Sequence, residues 1–197
     1  MKKIIAILLI LGCHCVYSQN PPVTSTVAVC SGISYDEIPQ NSYFKDIFNT
    51  FDPFVGTWVY VNGNQKVTLS IKKVTKKYFA DRKIYKDFIV GNYSYSTDGG
   101  ITYVVNTIPQ FLNTNPDSNP MYSPCAEANL INFGFIDVLL DKHFCKAIFE
   151  FLPGSTTQVK LTLQNEGTHG VLINEGETFT PTNPDFTIPN NIVLTKQ

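Results

Sequence analysis

The sequence predicts an all-β protein: an antiparallel, up-and-down β-barrel of about eight strands, carried behind an export leader. Three observations point there. Apolar residues alternate with period two, as where Val67, Leu69 and Ile71 are separated by Thr68 and Ser70. Turn signals such as Asn62-Gly63, Asp98-Gly99-Gly100 and Pro153-Gly154-Ser155 break those runs at hairpin intervals. No segment sustains a helical period, and the 14 Phe and 10 Tyr suit a pleated, half-buried surface.

The elements follow in chain order. Lys2 and Lys3 precede an apolar run from Ile4 to Leu11, the layout of a signal peptide and far short of the roughly 20 residues that span a bilayer. Val16-Tyr17-Ser18 favours cleavage before Gln19, making 1–18 the signal peptide. The competing reading takes Leu9-Ile10-Leu11-Gly12-Cys13 as a lipobox, leaving Cys13 lipidated and the protein anchored to the outer membrane. Either route takes the mature chain out of the cytoplasm, as a periplasmic or secreted protein or as a lipoprotein. Residues 19–53 contain Pro21, Pro22, Pro39 and Pro53 and read as an irregular leader, with 43–48 forming a short helix or turn over the barrel mouth.

The barrel domain spans 54–197. Its first strand carries Trp58 and Tyr60, and Asn62-Gly63 supplies a tight hairpin into the alternating strand that follows. A third strand covers about 87–96, and Ile101 to Asn106 returns as a second hairpin. The proline-punctuated stretch 109–129 is a long loop, and loops of that length are usually functional or mobile. Strands resume over 130–140, 144–151, 158–164 and 191–196.

Hydrophobic content of 43% and a mean hydropathy of −0.02 are those of a globular domain. The formal charge is −1, and loss of Lys2 and Lys3 would make it more acidic, so nothing suggests affinity for polyanions at large. Export also removes nucleic acid as a partner. Of the 5 cysteines, Cys30, Cys125 and Cys145 survive cleavage. An oxidising compartment favours a disulfide, and Cys125 with Cys145 is the preferred pair because Cys30 falls in the leader. Closing that loop contributes roughly 3 kcal/mol. Asp141, His143 and Cys145 fall on one strand face, but no second cluster completes a metal site, so the disulfide reading is preferred and no cofactor is expected.

Gly56-Thr57-Trp58 at the first strand, the segments 43–46 and 62–64, Gly91-Asn92-Tyr93-Ser94-Tyr95, and the ending from Ile188 to Lys196 carry a resemblance. The chain resembles an uncharacterised family of small exported bacterial proteins of lipocalin-like, calycin-type character. The resemblance implies the barrel and export but no chemistry. In lipocalins the Gly-x-Trp indole lies at the closed base under a basic side chain, which implies a structural trio of Gly56, Trp58 and Lys196. The short Asn62-Gly63 hairpin departs from the long lid that lipocalins carry there.

The densest charge lies between Lys66 and Lys86, where Lys72, Lys73, Lys76, Lys77, Arg82 and Lys83 form a candidate patch for anions or lipid headgroups. The plainer account is a solvated strand face with edge lysines. No nucleophile elbow, metalloprotease helix or phosphate loop is present, and His143 and His169 stand apart, so no enzyme is expected. Two functional classes remain. One is a barrel binding a small apolar or amphiphilic ligand, since eight strands can enclose one. The other is a filled-core envelope module acting through the basic hairpin 66–86 or the 109–129 loop.

Overall fold

The structure, a computed structural model, describes residues 20–110, 114–165 and 185–197. The signal and lipobox residues, Cys13 among them, and His169 lie outside the described residues. Eleven strands form one sheet: β1 (Thr26–Ala28), β2 (Tyr43–Lys45), β3 (Gly56–Asn62), β4 (Gln65–Phe79), β5 (Ile84–Ser96), β6 (Val105–Asn106), β7 (Met121–Ser123), β8 (Leu130–Asp137), β9 (Lys142–Phe151), β10 (Gln158–Asn165) and β11 (Ile192–Lys196). Eight of them close an antiparallel barrel in the order β5-β4-β3-β11-β10-β9-β8-β7, with β7 pairing back onto β5.

The alternation in the sequence places the core. Val67, Leu69 and Ile71 on β4 meet Phe133, Phe149, Leu161 and Leu194 from the other strands in one continuous buried cluster. Thr75 and Lys76 together oppose the single residue Asp87, so the ladder bulges between Val74 and Lys77, with Lys76 at φ 51°. β5 is buried along its whole length. Its inward residues join the core, while Phe88 and Val90 face outward beneath Val74, Phe79 and Tyr122 in a second small cluster. The edge of β5 away from β4 serves three strands in turn: β2 near its start, β7 at Ile89–Gly91 and β6 at its end. Gly91 permits the middle contact, since a Cβ there would meet Met121 Cβ and Sδ at 3.1 Å.

Several expectations need correction. Residues 43–45 are a strand, not a helix or turn, because Tyr43 pairs in register with Tyr85 of β5. The segment 19–53 is therefore woven into the sheet: β1 and β2 run parallel to each other and β2 runs parallel to β5. The first hairpin turns at Gly63-Asn64, one residue later than read, with Gly63 at φ 58° and Asn62 opposite Gln65. The return strand expected over 101–106 shrinks to β6, because Asp98 gathers the amides of Ile101 and Thr102 into a loop instead.

Candidate functional site

The barrel base is built around Trp58. A 3-10 turn, Asp52–Phe54, crosses beneath the strands just before β3 and places Phe51 and Phe54 in the core. Trp58 is completely buried and its Nε1 donates to the carbonyl of Phe54 at 2.8 Å. Lys196 pairs with Trp58 across β11 and β3 and sets its ammonium 5.3 Å from the indole centroid, a cation–π distance. The same Nζ donates to the Pro53 carbonyl at 2.8 Å. Gly56 leaves room for this, since a Cβ there would meet Lys196 Cε at 3.0 Å. The structure thus brings Gly56, Trp58 and Lys196 together as a plug at one end of the barrel.

Beside the plug lies a network around two buried carboxylates, Asp46 and Asp87. Asp87, opposite the β4 bulge, accepts from Tyr43 Oη at 2.6 Å, Lys76 N at 2.8 Å and Asp46 N at 2.9 Å. Asp46 accepts from Thr50 N, Thr50 Oγ1 and Phe51 N, and forms an ion pair with Lys73 at 2.8 Å. Lys73 also reaches Asp52 at 2.7 Å. Burial raises the Asp46 carboxyl, but the Lys73 ammonium and the amides of Phe51 and Thr50 outweigh it and hold the group below the usual aspartate range. Burial, followed by the Asp87 hydrogen bond, pushes the Tyr43 phenol well up. Every carboxylate here is engaged in holding the 43–54 segment on the barrel. The alternation pattern does contain the signal for Asp87, which shares parity with inward Ile89 and Tyr93.

This network gives the first prediction. Lys73→Met should cost roughly 3 kcal/mol at neutral pH, because Asp46 then keeps a buried charge without its partner. A depressed aspartate stabilises the fold above its unfolded pKa of about 3.9, and that stability is lost as pH falls through the folded value. The gap between wild type and variant in urea unfolding should therefore narrow below about pH 4. A gap constant across that range contradicts the assignment.

The disulfide joins Cys30 to Cys125, with Cα atoms 5.4 Å apart, and not Cys125 to Cys145. The reason is topological. Weaving β1 into the sheet carries Cys30 to the β7–β8 connection, where Cys125 lies. Cys145 instead faces the barrel interior, opposite Phe135 and Asn165 near the other end. Asp141 in the β8–β9 turn and His143 at the start of β9 pair at 2.8 Å, both exposed, while Cys145 is buried, and no metal-binding group of three such residues exists among the described residues.

The basic segment does not form one surface. Lys73 is engaged by Asp46 and Asp52, and buried Lys86 donates to Tyr35 Oη at 2.9 Å. Lys76 sits in the bulge with its ammonium over the Tyr85 ring, and Arg82 lies over Tyr35 beside Asp81. Lys72, Arg82 and Lys83 are exposed and Lys77 is half-buried. The 109–129 stretch is likewise structural in its described part. Asn119 accepts from buried Asn92 at 2.8 Å, residues 121–123 become β7, and Cys125 is bridged.

Two depressions among the described residues are lined by strand edges and by the base. One, about 560 Å³, follows the seam where β3 and β11 diverge beyond the Val59–Thr195 pair, with Val61 and Val193 on its walls. Another, about 330 Å³, lies at the base between Pro53, Phe151 and Lys196. A family profile matches the chain over residues 1–197. The chain belongs to DUF6705, a family of unknown function. No curated protein and no solved structure matches the chain. Membership of DUF6705 brings no substrate or partner, so the function rests on the barrel's own geometry.

Proposed function

We propose that this DUF6705 protein is an extracytoplasmic barrel module that works through its outer surface and does not carry a ligand in its lumen. The condition of the interior supports this reading most. A lumen able to hold even water leaves accessible surface on the side chains lining it, yet Trp58, Leu69, Phe133, Phe149, Val159 and Leu194 have 0% exposure. Aromatic pairs fill the space, with Phe133 and Phe149 at 5.4 Å and Trp58 and Phe151 at 5.9 Å. The Cys30–Cys125 bridge supports an oxidising compartment and agrees with the leader read in the sequence. Asp46 and Asp87 at the base are tied to backbone amides as structural acceptors and Asp52 to Lys73, so the reading assigns no catalysis. Among the described residues no helix is long and apolar enough to cross a membrane.

One experiment reads both halves of this proposal. Intact-mass analysis of the protein recovered from its own cells should give a chain beginning at Gln19 or at a lipidated Cys13. Native spectra after incubation with mixed long-chain fatty acids should add no stoichiometric adduct. A chain retaining Met1 removes the export half, and a one-to-one fatty-acid complex removes the filled-lumen half.

A further inference from the structure

Exposed apolar residues normally lie scattered over a surface, and a concentration of them marks a contact site. Here, seven of the twelve exposed large apolar side chains among the described residues lie on or beside two loops at the end of the barrel opposite Trp58. The loop from β5 to β6 presents Ile101, Tyr103 and Val104, with Ile101 84% exposed. The turn from β8 to β9 presents Leu139 and Leu140, and Phe144 follows on β9 at 58%. The two tips are neighbours. Tyr95 accepts from Val104 N, while Tyr93, two residues earlier, accepts through its hydroxyl from Val138 N at 3.0 Å.

Both tips are held rigid from within. Asp98 accepts from Ser96 Oγ, Ile101 N and both donors of Thr102, and Gly99 N donates to Asn64 of the β3–β4 turn. Buried Asp137 accepts from Thr187 N and Oγ1 at 2.6 Å each and from Leu140 N at 3.3 Å, which fixes the second tip. Apolar side chains are thus displayed on ordered backbone, so no loop entropy is spent when they are buried.

We infer that this end of the barrel docks on a phospholipid bilayer, inserting the two tips into the headgroup and upper acyl region. The inference rests on the outer-surface reading and names its partner. Three features favour lipid over a protein partner. The apolar residues sit on projecting tips, not in a groove. They are mostly Leu, Ile and Val, whereas protein hot spots favour Trp, Tyr and Arg. Lys66, packed against Gly100 of the first tip, supplies a cation at the level where lipid phosphates would lie, with Tyr103 placed as an interfacial aromatic.

The test uses the full chain and vesicles of phosphatidylethanolamine and phosphatidylglycerol in equal parts, with brominated acyl chains. Leu139→Trp adds a second indole at the tip, while Trp58 stays buried at the opposite end as an internal reference. The new emission should shift to the blue and be quenched by bromine, with the Trp58 emission of the parent protein unaffected. The pair Leu139→Asp and Leu140→Asp should lower vesicle partitioning roughly tenfold with an unchanged thermal midpoint, because both leucines are exposed. Lys72→Glu with Lys77→Glu should change partitioning by no more than about twofold, as expected for charges away from the contact. An unquenched tip indole on vesicle-bound protein overturns the inference, as does absence of vesicle binding. Self-association in buffer that the Asp pair abolishes, without lipid binding, overturns it in favour of a protein contact. None of these outcomes touches the filled-lumen reading, which fails only on a ligand adduct.

Discussion

Cys30→Ser should destabilise the protein by roughly 4–5 kcal/mol, the chain-entropy value for a loop whose ends are 95 residues apart. The bridge ties β1 to the β7–β8 connection, and β1 pairs in the sheet with β2 through three residue pairs. Losing it releases the strand that carries buried Val29 into the core. Urea unfolding of wild type with and without reductant, beside the variant, measures the effect. Peptide maps without reductant should join the Cys30 and Cys125 fragments. A link between Cys125 and Cys145, or a Cys30→Ser variant as stable as its parent, contradicts the topology of the N-terminal segment.

Trp58→Ala should cost about 3–5 kcal/mol, as truncation of a buried aromatic does when its surroundings cannot collapse. Collapse is resisted here because Phe54, Phe151 and Lys196 are each fixed by contacts of their own. Trp58→Phe separates packing from hydrogen bonding, since it keeps a ring but leaves the Phe54 carbonyl without its 2.8 Å donor. Its loss should fall near about 1–2 kcal/mol, mostly the unmade hydrogen bond. Chemical denaturation followed by far-ultraviolet circular dichroism measures both variants without relying on the indole. Equal losses for Ala and Phe would mean that the ring itself contributes no packing at the base.

The barrel was legible in the sequence because its signal is local. Val67, Leu69 and Ile71 alternate visibly with polar residues, and strand parity then fixes which face is buried. The trio of Gly56, Trp58 and Lys196 came from the resemblance, and the structure sets them within contact of one another. What could not be read was long-range and parallel. Nothing local in Tyr43-Phe44-Lys45 says that it pairs with a strand forty residues later, and a three-residue strand has no periodicity to detect. That omission carried the disulfide error with it, since Cys30 reaches Cys125 only if its segment belongs to the sheet. The partners of the basic run were not legible for a related reason. Sequence proximity of Lys73, Lys76 and Lys86 hides the fact that Asp46, the Tyr85 ring and Tyr35 engage them separately. The apolar tips escaped notice because Ile101 and Leu139 read as strand residues until the turns around Asp98 and Asp137 placed them outside the ladders.

The central claim is that the barrel interior is filled and its function lies on the outside. Trp58 tests this most directly, as the chain's 1 tryptophan and a wholly buried one. Its emission should be that of a dry indole, resist acrylamide, and stay unchanged as oleate is titrated through the micromolar range. A saturable shift with oleate, reversed by a second apolar competitor, would contradict the account and return the protein to the ligand-carrying barrels.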